Sequence, residues 1–316
     1  MPMPNQTVNE QRTGLGQPGT AELRDFSERL QQDVQGRSLW VDARRRFFRN
    51  KAAMAAVVIL AVIVVAVLIG PLFSPYGFTD TDWGAIFHPP SLANGHIFGT
   101  DDLGRDVFVR TMMGGRITLL IGLISSLVSI VIGVAYGSVA GFFGGRVDGF
   151  MMRIVDILYS MPFLFFVILL MTFFGRNFIL LFVAIGAITW LDMSRIVRGQ
   201  TLTLKSKEFI EAAYACGVGK PTIIRRHVVP NLLGVVVIYA TLTVPTVILT
   251  SAFLSFLGLG VQEPMTSWGV LVNDGASNMG TAWWTLVFPA GMLTSTLYCF
   301  NFIGDGLRDA LDPKDR

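Results

Sequence analysis

Lys205 to Asn231 reads KSKEFIEAAYACGVGKPTIIRRHVVPN, a polar and basic stretch set between two long apolar runs. Within it Phe209, Ala212, Ala213 and Cys216 recur at i, i+3, i+4 and i+7, the spacing that gathers residues on one face of an α-helix. Gly217 and Gly219 supply a stop for that helix. Pro221 suits the first turn of a second helix, where its missing N–H has no intrahelical partner anyway, and Pro230 is expected to close it. The stretch predicts a short helical hairpin held against a membrane face, with Glu211 on its rim and two alanines that let another surface approach closely. Periodicity leaves two readings open, a docking surface or a solvated connector between spans.

The flanking runs set the class. Of 316 residues, 52% are hydrophobic and only 15% charged, against about 25% charged in an ordinary soluble domain. The chain reads as an all-α, polytopic membrane protein. A net charge of +3 could suggest nucleic acid, but the basic residues border apolar runs and do not cover a domain face, which excludes that partner. Cys216 and Cys299 have neither metal-ligand spacing nor a disulfide framework and read as small packing residues. The first apolar run begins only at Ala52 and is about twice as long as a signal-peptide core, so no cleavable signal is expected.

In chain order, residues 1–36 are expected to be a disordered cytoplasmic tail. Residues 37–51, RSLWVDARRRFFRNK, crowd arginines beside aromatic residues and predict an interfacial amphipathic helix drawn to membrane lipids. Residues 52–73 hold the first transmembrane helix; uncharged Ala52 to Leu72 would run about 31 Å, enough to cross once. A periplasmic loop carrying a surface helix occupies 74–116. A five-helix core fills 117–304, with apolar runs at Ile117 to Gly141, Ile157 to Phe174, Asn177 to Leu191, Leu232 to Leu257 and Ala282 to Gly304, and with the cytoplasmic hairpin at 193–231. Residues 305–316 read as a cytoplasmic tail with Asp305 as a helix cap. Six transmembrane helices result. Arg105, Arg110, Arg116 and Arg176 are the only basic residues left on the outer side, so both termini and the hairpin fall in the cytoplasm.

Gly133, Gly137 and Gly141 leave one face of the second span nearly bare, which predicts close helix packing. Pro162, Pro245 and Pro289 each free a carbonyl and can bend a span, as a gate or as a static kink. Thr243, Thr246 and Thr250, Thr294, Tyr298 and Asn301, and Ser125 and Ser129 form three polar faces. They either line a hydrated path or, for the hydroxyls, bond their own helix backbone. Outside the membrane, GTDDLGRD contains Gly99, Thr100, Asp101, Gly104, Arg105 and Asp106. Thr100 or Asp101 is the expected cap of a surface helix, and the alternation of an EF-hand loop is missing. Glu263 and Asp274 lie in an outer loop without basic residues, either solvated or offered to a cationic group of a solute or receptor.

The sequence has no phosphate loop, HExxH zinc motif or GxSxG elbow, so neither ATP hydrolysis nor other catalysis is expected, and no cofactor or metal is assigned to this chain. His88, His96 and His227 are scattered and read as surface residues. No ionisable residue interrupts any of the six runs. Uphill transport would therefore draw its energy from outside the bilayer core, with the hairpin as the port. A secondary transporter and a channel or scaffold component are the rival classes.

Glu211-Ala212-Ala213, then Gly217, then Pro230 resembles the EAA loop of permease subunits from binding-protein-dependent ABC importers, with His227 and Val229 standing where that family more often has isoleucine and leucine. Together with SLWVDARRRFFRNK, GTDDLGRD, FLSFLGLGVQEPMTSWG and FNFIGDGLRDALDPKDR, it makes the chain similar to the C-type permeases of bacterial oligopeptide and dipeptide importers. That resemblance implies a type I ABC importer permease fold in the inner membrane. It also implies a homologous second permease, two cytoplasmic ATPases that bind ATP and Mg, and an extracytoplasmic peptide-binding protein. Glu211, Ala212, Ala213, Gly217, Pro230 and Phe209 would form the ATPase-coupling surface. Arg195, Arg198 and Lys205 would extend span four as a lever. Oligopeptides are the implied solute, with dipeptides, nickel or another small solute as alternatives.

Overall fold

The computed structural model describes residues 39–175 and 178–311, so the expected tail at 1–36 and the last residues, 312–316, lie outside the described part. Among the described residues all regular structure is helical apart from one isolated bridge between Thr100 and Asp106. Helix α1 (Leu39–Arg49) is short and arginine-rich. Asn50 then breaks the chain direction and caps α2 (Lys51–Ile69) by accepting a hydrogen bond from Ala53 N–H at 3.1 Å. Val58, Val62, Val65 and Leu68 are exposed along α2, a surface at home in hydrocarbon.

The predicted outer surface helix is not a separate element. Asp106, rather than Thr100 or Asp101, is the cap: its carboxylate accepts from Val109 N–H at 2.8 Å and opens α3 (Val107–Phe143). Nothing in those 37 residues carries a proline, so the helix runs through Gly114 and Gly115 into the membrane, about 55 Å in all. Helix α4 (Gly145–Ser160) follows. The expected third span is broken there, because Pro162 lacks an N–H and forces Met161 into an extended conformation. Helix α5 (Phe163–Phe174) leaves at 83° to α4.

Helix α6 (Phe178–Lys205) continues without interruption beyond the fourth apolar run. After the hairpin, α9 (Val229–Phe256) holds Pro245 within a continuous helix. The outer loop after it is not simply solvated, since it folds into α10 (Trp268–Ser277). Helix α11 (Trp284–Leu311) contains Pro289 and extends past Asp305, which therefore caps nothing. Among the described residues four helical runs, α2, α3, the run ending in α9 and α11, are long and apolar enough to cross a membrane. The bent α4–α5 pair is a fifth if counted as one span.

The glycine stripe packs as its pattern predicts. A Cβ at Gly133 would lie 2.6 Å from the Met193 side chain, and one at Gly141 2.8 Å from the Arg198 carbonyl, so α3 and α6 meet nearly backbone to backbone. Toward the inner end Asp148 of α4 accepts both Nε and Nη2 of Arg198, at 2.5 and 2.6 Å, in a bidentate pair that ties α4 to α6.

Candidate functional site

The hairpin is built from α7 (Glu208–Ala215) and α8 (Lys220–Ile223). Glu208 and Glu211 occupy the first turn of α7, where carboxylates favour the exposed N–H groups. Gly217, at φ +75°, ends it. Its N–H donates to Tyr214 and that of Val218 to Ala213, a left-handed turn that closes the helix and that a side chain would strain.

Which face turns inward differs from the spacing argument. Ile210 and Ala213 are buried with Ile223, Ile224 and Val228 against Phe142, Met193 and Val197. Phe209, Ala212 and Cys216 face outward with Glu211 and Tyr214, so Cys216 is not a packing residue. The helix is apolar on two sides. The side with the branched Ile210 buries more area, which leaves small Ala212 and two aromatic rings bare. Phe142 stacks on Tyr214 at 6.1 Å and holds that ring from behind.

Pro230 does not close the second arm. Residues Ile224–Val228 form a π-helical segment in which the N–H of Val229 donates to Ile224, five residues back. That wider register carries the chain past Pro230, which has no N–H to donate, and on into α9. The outer arm of the hairpin is thus continuous with a long transmembrane helix. Periodicity gave no hint of the π segment.

The three polar faces separate. Thr243, Thr246 and Thr250 donate to the carbonyls of Tyr239, Leu242 and Thr246, at 2.7, 3.1 and 2.8 Å. Thr294, Tyr298 and Asn301 lie exposed on α11. Ser125 and Ser129 are fully buried, with hydroxyls that find no partner among the described residues, so they line no open path in this chain.

The outer motif folds as a clasp. Asp101 accepts from the N–H of Leu103 and of Arg105, both at 2.9 Å, and from Arg105 Nε at 2.7 Å. Gly99 and Gly104 take positive φ on either side of that turn. Arg105 Nη1 donates to Glu263 at 2.8 Å, so the carboxylate offered to an outside cation already has one within the chain. That hydrogen bond holds the Glu263 carboxyl below the usual carboxylate range. Thr100 Oγ1 donates to Ala85 O and accepts from His88 N–H, while its carbonyl accepts from Trp284 Nε1 at 3.0 Å. His96 is not a surface residue: it is buried, 2.9 Å from Asp106 and stacked on Tyr76.

A membrane-spanning helical body, a hairpin with its back buried and its front bare, and a self-bound outer clasp define a transport component. Residues 130–316 match the family of binding-protein-dependent transport system inner membrane components, and residues 38–90 match the N-terminal TM domain of oligopeptide transport permease C. The chain belongs to the binding-protein-dependent transport system inner membrane component family, as a multi-pass inner-membrane protein and not an enzyme. It is 55% identical over 305 residues to the oligopeptide transport system permease protein OppC of Haemophilus influenzae, covering 95% of this chain and 98% of that one. It is 57% identical over 302 residues to the protein of that name from Escherichia coli strain K12, covering 96% and 99%. The MetNI methionine ABC transporter in an inward-facing conformation shares the fold, with a TM-score of 0.54 at 21% identity, over 65% of this chain and 96% of that one.

Proposed function

We propose that this chain is a permease subunit of an ATP-driven importer of peptides, oligopeptides foremost. In this reading an extracytoplasmic binding protein delivers the peptide to a cavity shared with a homologous second permease. Two cytoplasmic ATPases bind ATP and Mg and grip the hairpin, and six spans leave both termini in the cytoplasm. The observation that carries it is the bare outward surface of α7, where Phe209, Glu211, Ala212 and Tyr214 are exposed on a helix whose other side is firmly packed. Small alanine between two aromatic rings and a carboxylate suits insertion into a cleft. The substrate class follows the names of the relatives at 55 and 57% identity.

Closure of the ATPases would move α7, and two routes lead from it into the membrane. One is the π segment into α9. The other is α6, whose Arg195 pairs with Asp156 at 2.8 Å and whose Arg198 pairs with Asp148, so that in this reading Arg195 and Arg198 tie the lever to α4 while Lys205 lies over the Phe142 ring of α3.

The test is uptake of a labelled pentapeptide into vesicles holding the assembled complex. Wild type should import only with ATP, and Glu211→Arg should lower uptake at least roughly tenfold, the effect of losing about 1.4 kcal/mol of coupling, while the ATPases no longer co-purify. Uptake driven by a proton gradient with the ATPases absent would overturn the assignment.

A further inference from the structure

A groove of about 430 Å³ opens where α1 meets the ends of α9 and α11, within the range of about 300–1,000 Å³ typical of ligand sites. Val41, Phe47, Val237, Leu307 and Leu311 make its walls apolar, and among the described residues Arg44 is the one charged residue that lines it. From these features we propose a binding site for a single anionic phospholipid. An acyl chain would lie in the groove and the phosphate would sit against Arg44.

Three observations favour that occupant. The groove lies beside the start of α2, whose exposed face is continuously apolar and whose first residue is Lys51, so it sits where hydrocarbon gives way to headgroups. Its chemistry is that of an amphiphile, an apolar body with one cation at the edge. Among the described residues the nearby acids do not cancel this charge. At 100° per residue, Asp42 falls on the side of α1 away from the lining residues, and Asp305 and Asp309 fall on the side of α11 away from Leu307 and Leu311.

The groove is also held open by its frame. The corner between α1 and α2 is fixed by the Asn50 cap and rests on Gly306 of α11, where a Cβ would come within 2.5 Å of that of Ala53 and 3.3 Å of the Phe47 ring. A ligand therefore enters a wall set by backbone contact, and little ordering opposes binding.

The full-length chain, purified with the subunits that accompany it, is exposed to dioleoyl phosphatidylglycerol or dioleoyl phosphatidylcholine and weighed by native mass spectrometry. One phosphatidylglycerol should be retained per chain, roughly tenfold in preference to the zwitterionic lipid. Arg44→Glu should abolish that preference and Arg44→Lys should keep it. Val237→Trp, which fills the groove, should remove retention altogether. Equal retention of both lipids, or an unchanged preference in Arg44→Glu, would overturn the proposal. Because Val237→Trp could disturb packing, a photo-reactive residue at exposed Val41 gives a second reading: a lipid-sized mass gain supports the site. A protein-sized adduct, or none, overturns it. Neither readout depends on peptide uptake, so failure of the transport assignment leaves this test intact.

Discussion

The two ends of the molecule are finished to different degrees. At the outer end a network of polar groups is paired within the chain, although Arg110 Nε, Thr111 Oγ1 and Thr266 Oγ1 find no hydrogen-bond partner among the described residues. Arg105 joins Asp101 to Glu263, Trp284 donates to Thr100, and Trp268, fully buried on α10, donates its indole N–H to Thr111 at 2.8 Å and its backbone N–H to Thr118. At the inner end the hairpin buries one side and presents Phe209, Ala212 and Tyr214 on the other. A closed end holds its shape alone. The hairpin instead gathers two exposed rings, a small alanine and a carboxylate on one short helix whose other side is packed, so mutations at the two ends should separate stability from coupling.

The largest effect expected is at the outer end. Trp268→Ala removes an indole that lies against Gly115, where a Cβ would stand 2.6 Å from its ring, together with the hydrogen bond it gives to the Thr111 carbonyl. A loss of about 3–5 kcal/mol is expected, read as a large fall in thermal midpoint of the detergent-solubilised chain. Trp283→Ala, at an exposed neighbouring site, should change it little. Comparable losses for both tryptophans would mean that the outer end is not the closed body described.

Next comes the hairpin. Gly217→Ala keeps every buried contact of α7 but forces a side chain into φ +75°, at a cost of about 1–2 kcal/mol. Nothing lies within 4 Å of the added Cβ, so the effect is conformational and not steric. Amide exchange across Glu208–Ala215 should speed up while that of α10 stays unchanged. Faster exchange at α10 as well would show the two ends to be one cooperative unit.

How much of this was legible in the sequence depends on whether the signal was local. Gly133, Gly137 and Gly141 announced a close helix contact because the absence of side chains at four-residue spacing has one meaning on a helix in a membrane, and Gly217 announced a stop for a similar reason. The orientation of α7 was not legible. Ile210 with Ala213 and Phe209 with Ala212 are equally helical stripes, and only the presence of Phe142, Met193 and Val197 in space decides between them. The outer end was misread for the same cause. Trp268 bonds to a residue 157 positions away, and Glu263 to one 158 away, so a stretch that looks solvated alone becomes a helix and half of a clasp. Asp106 took the cap from Thr100 and Asp101 because those two are occupied within the turn before it. Pro230 failed as a stop because a π register absorbs it, a device with no sequence signature.

The smallest effect isolates the clasp itself. Glu263 is 65% exposed on its side chain, so its pair with Arg105 is worth at most about 1 kcal/mol after solvent screening. Its carboxyl is held below the usual range by the Arg105 hydrogen bond. A depressed carboxyl stabilises the fold at pH values above its unfolded value and loses that contribution as the pH falls through the folded one. Wild type should therefore lose a small increment of stability as pH falls from the ordinary carboxylate range to below it, and Glu263→Gln should flatten that part of the profile while lying slightly lower at neutral pH. Because Asp101 still holds Arg105 in that variant, the inner hairpin should exchange as before. A Glu263→Gln profile that still falls with the wild-type slope would mean that the pair with Arg105 does not carry the acid sensitivity, and the clasp would then close through its own turn without the partner from the loop before α10.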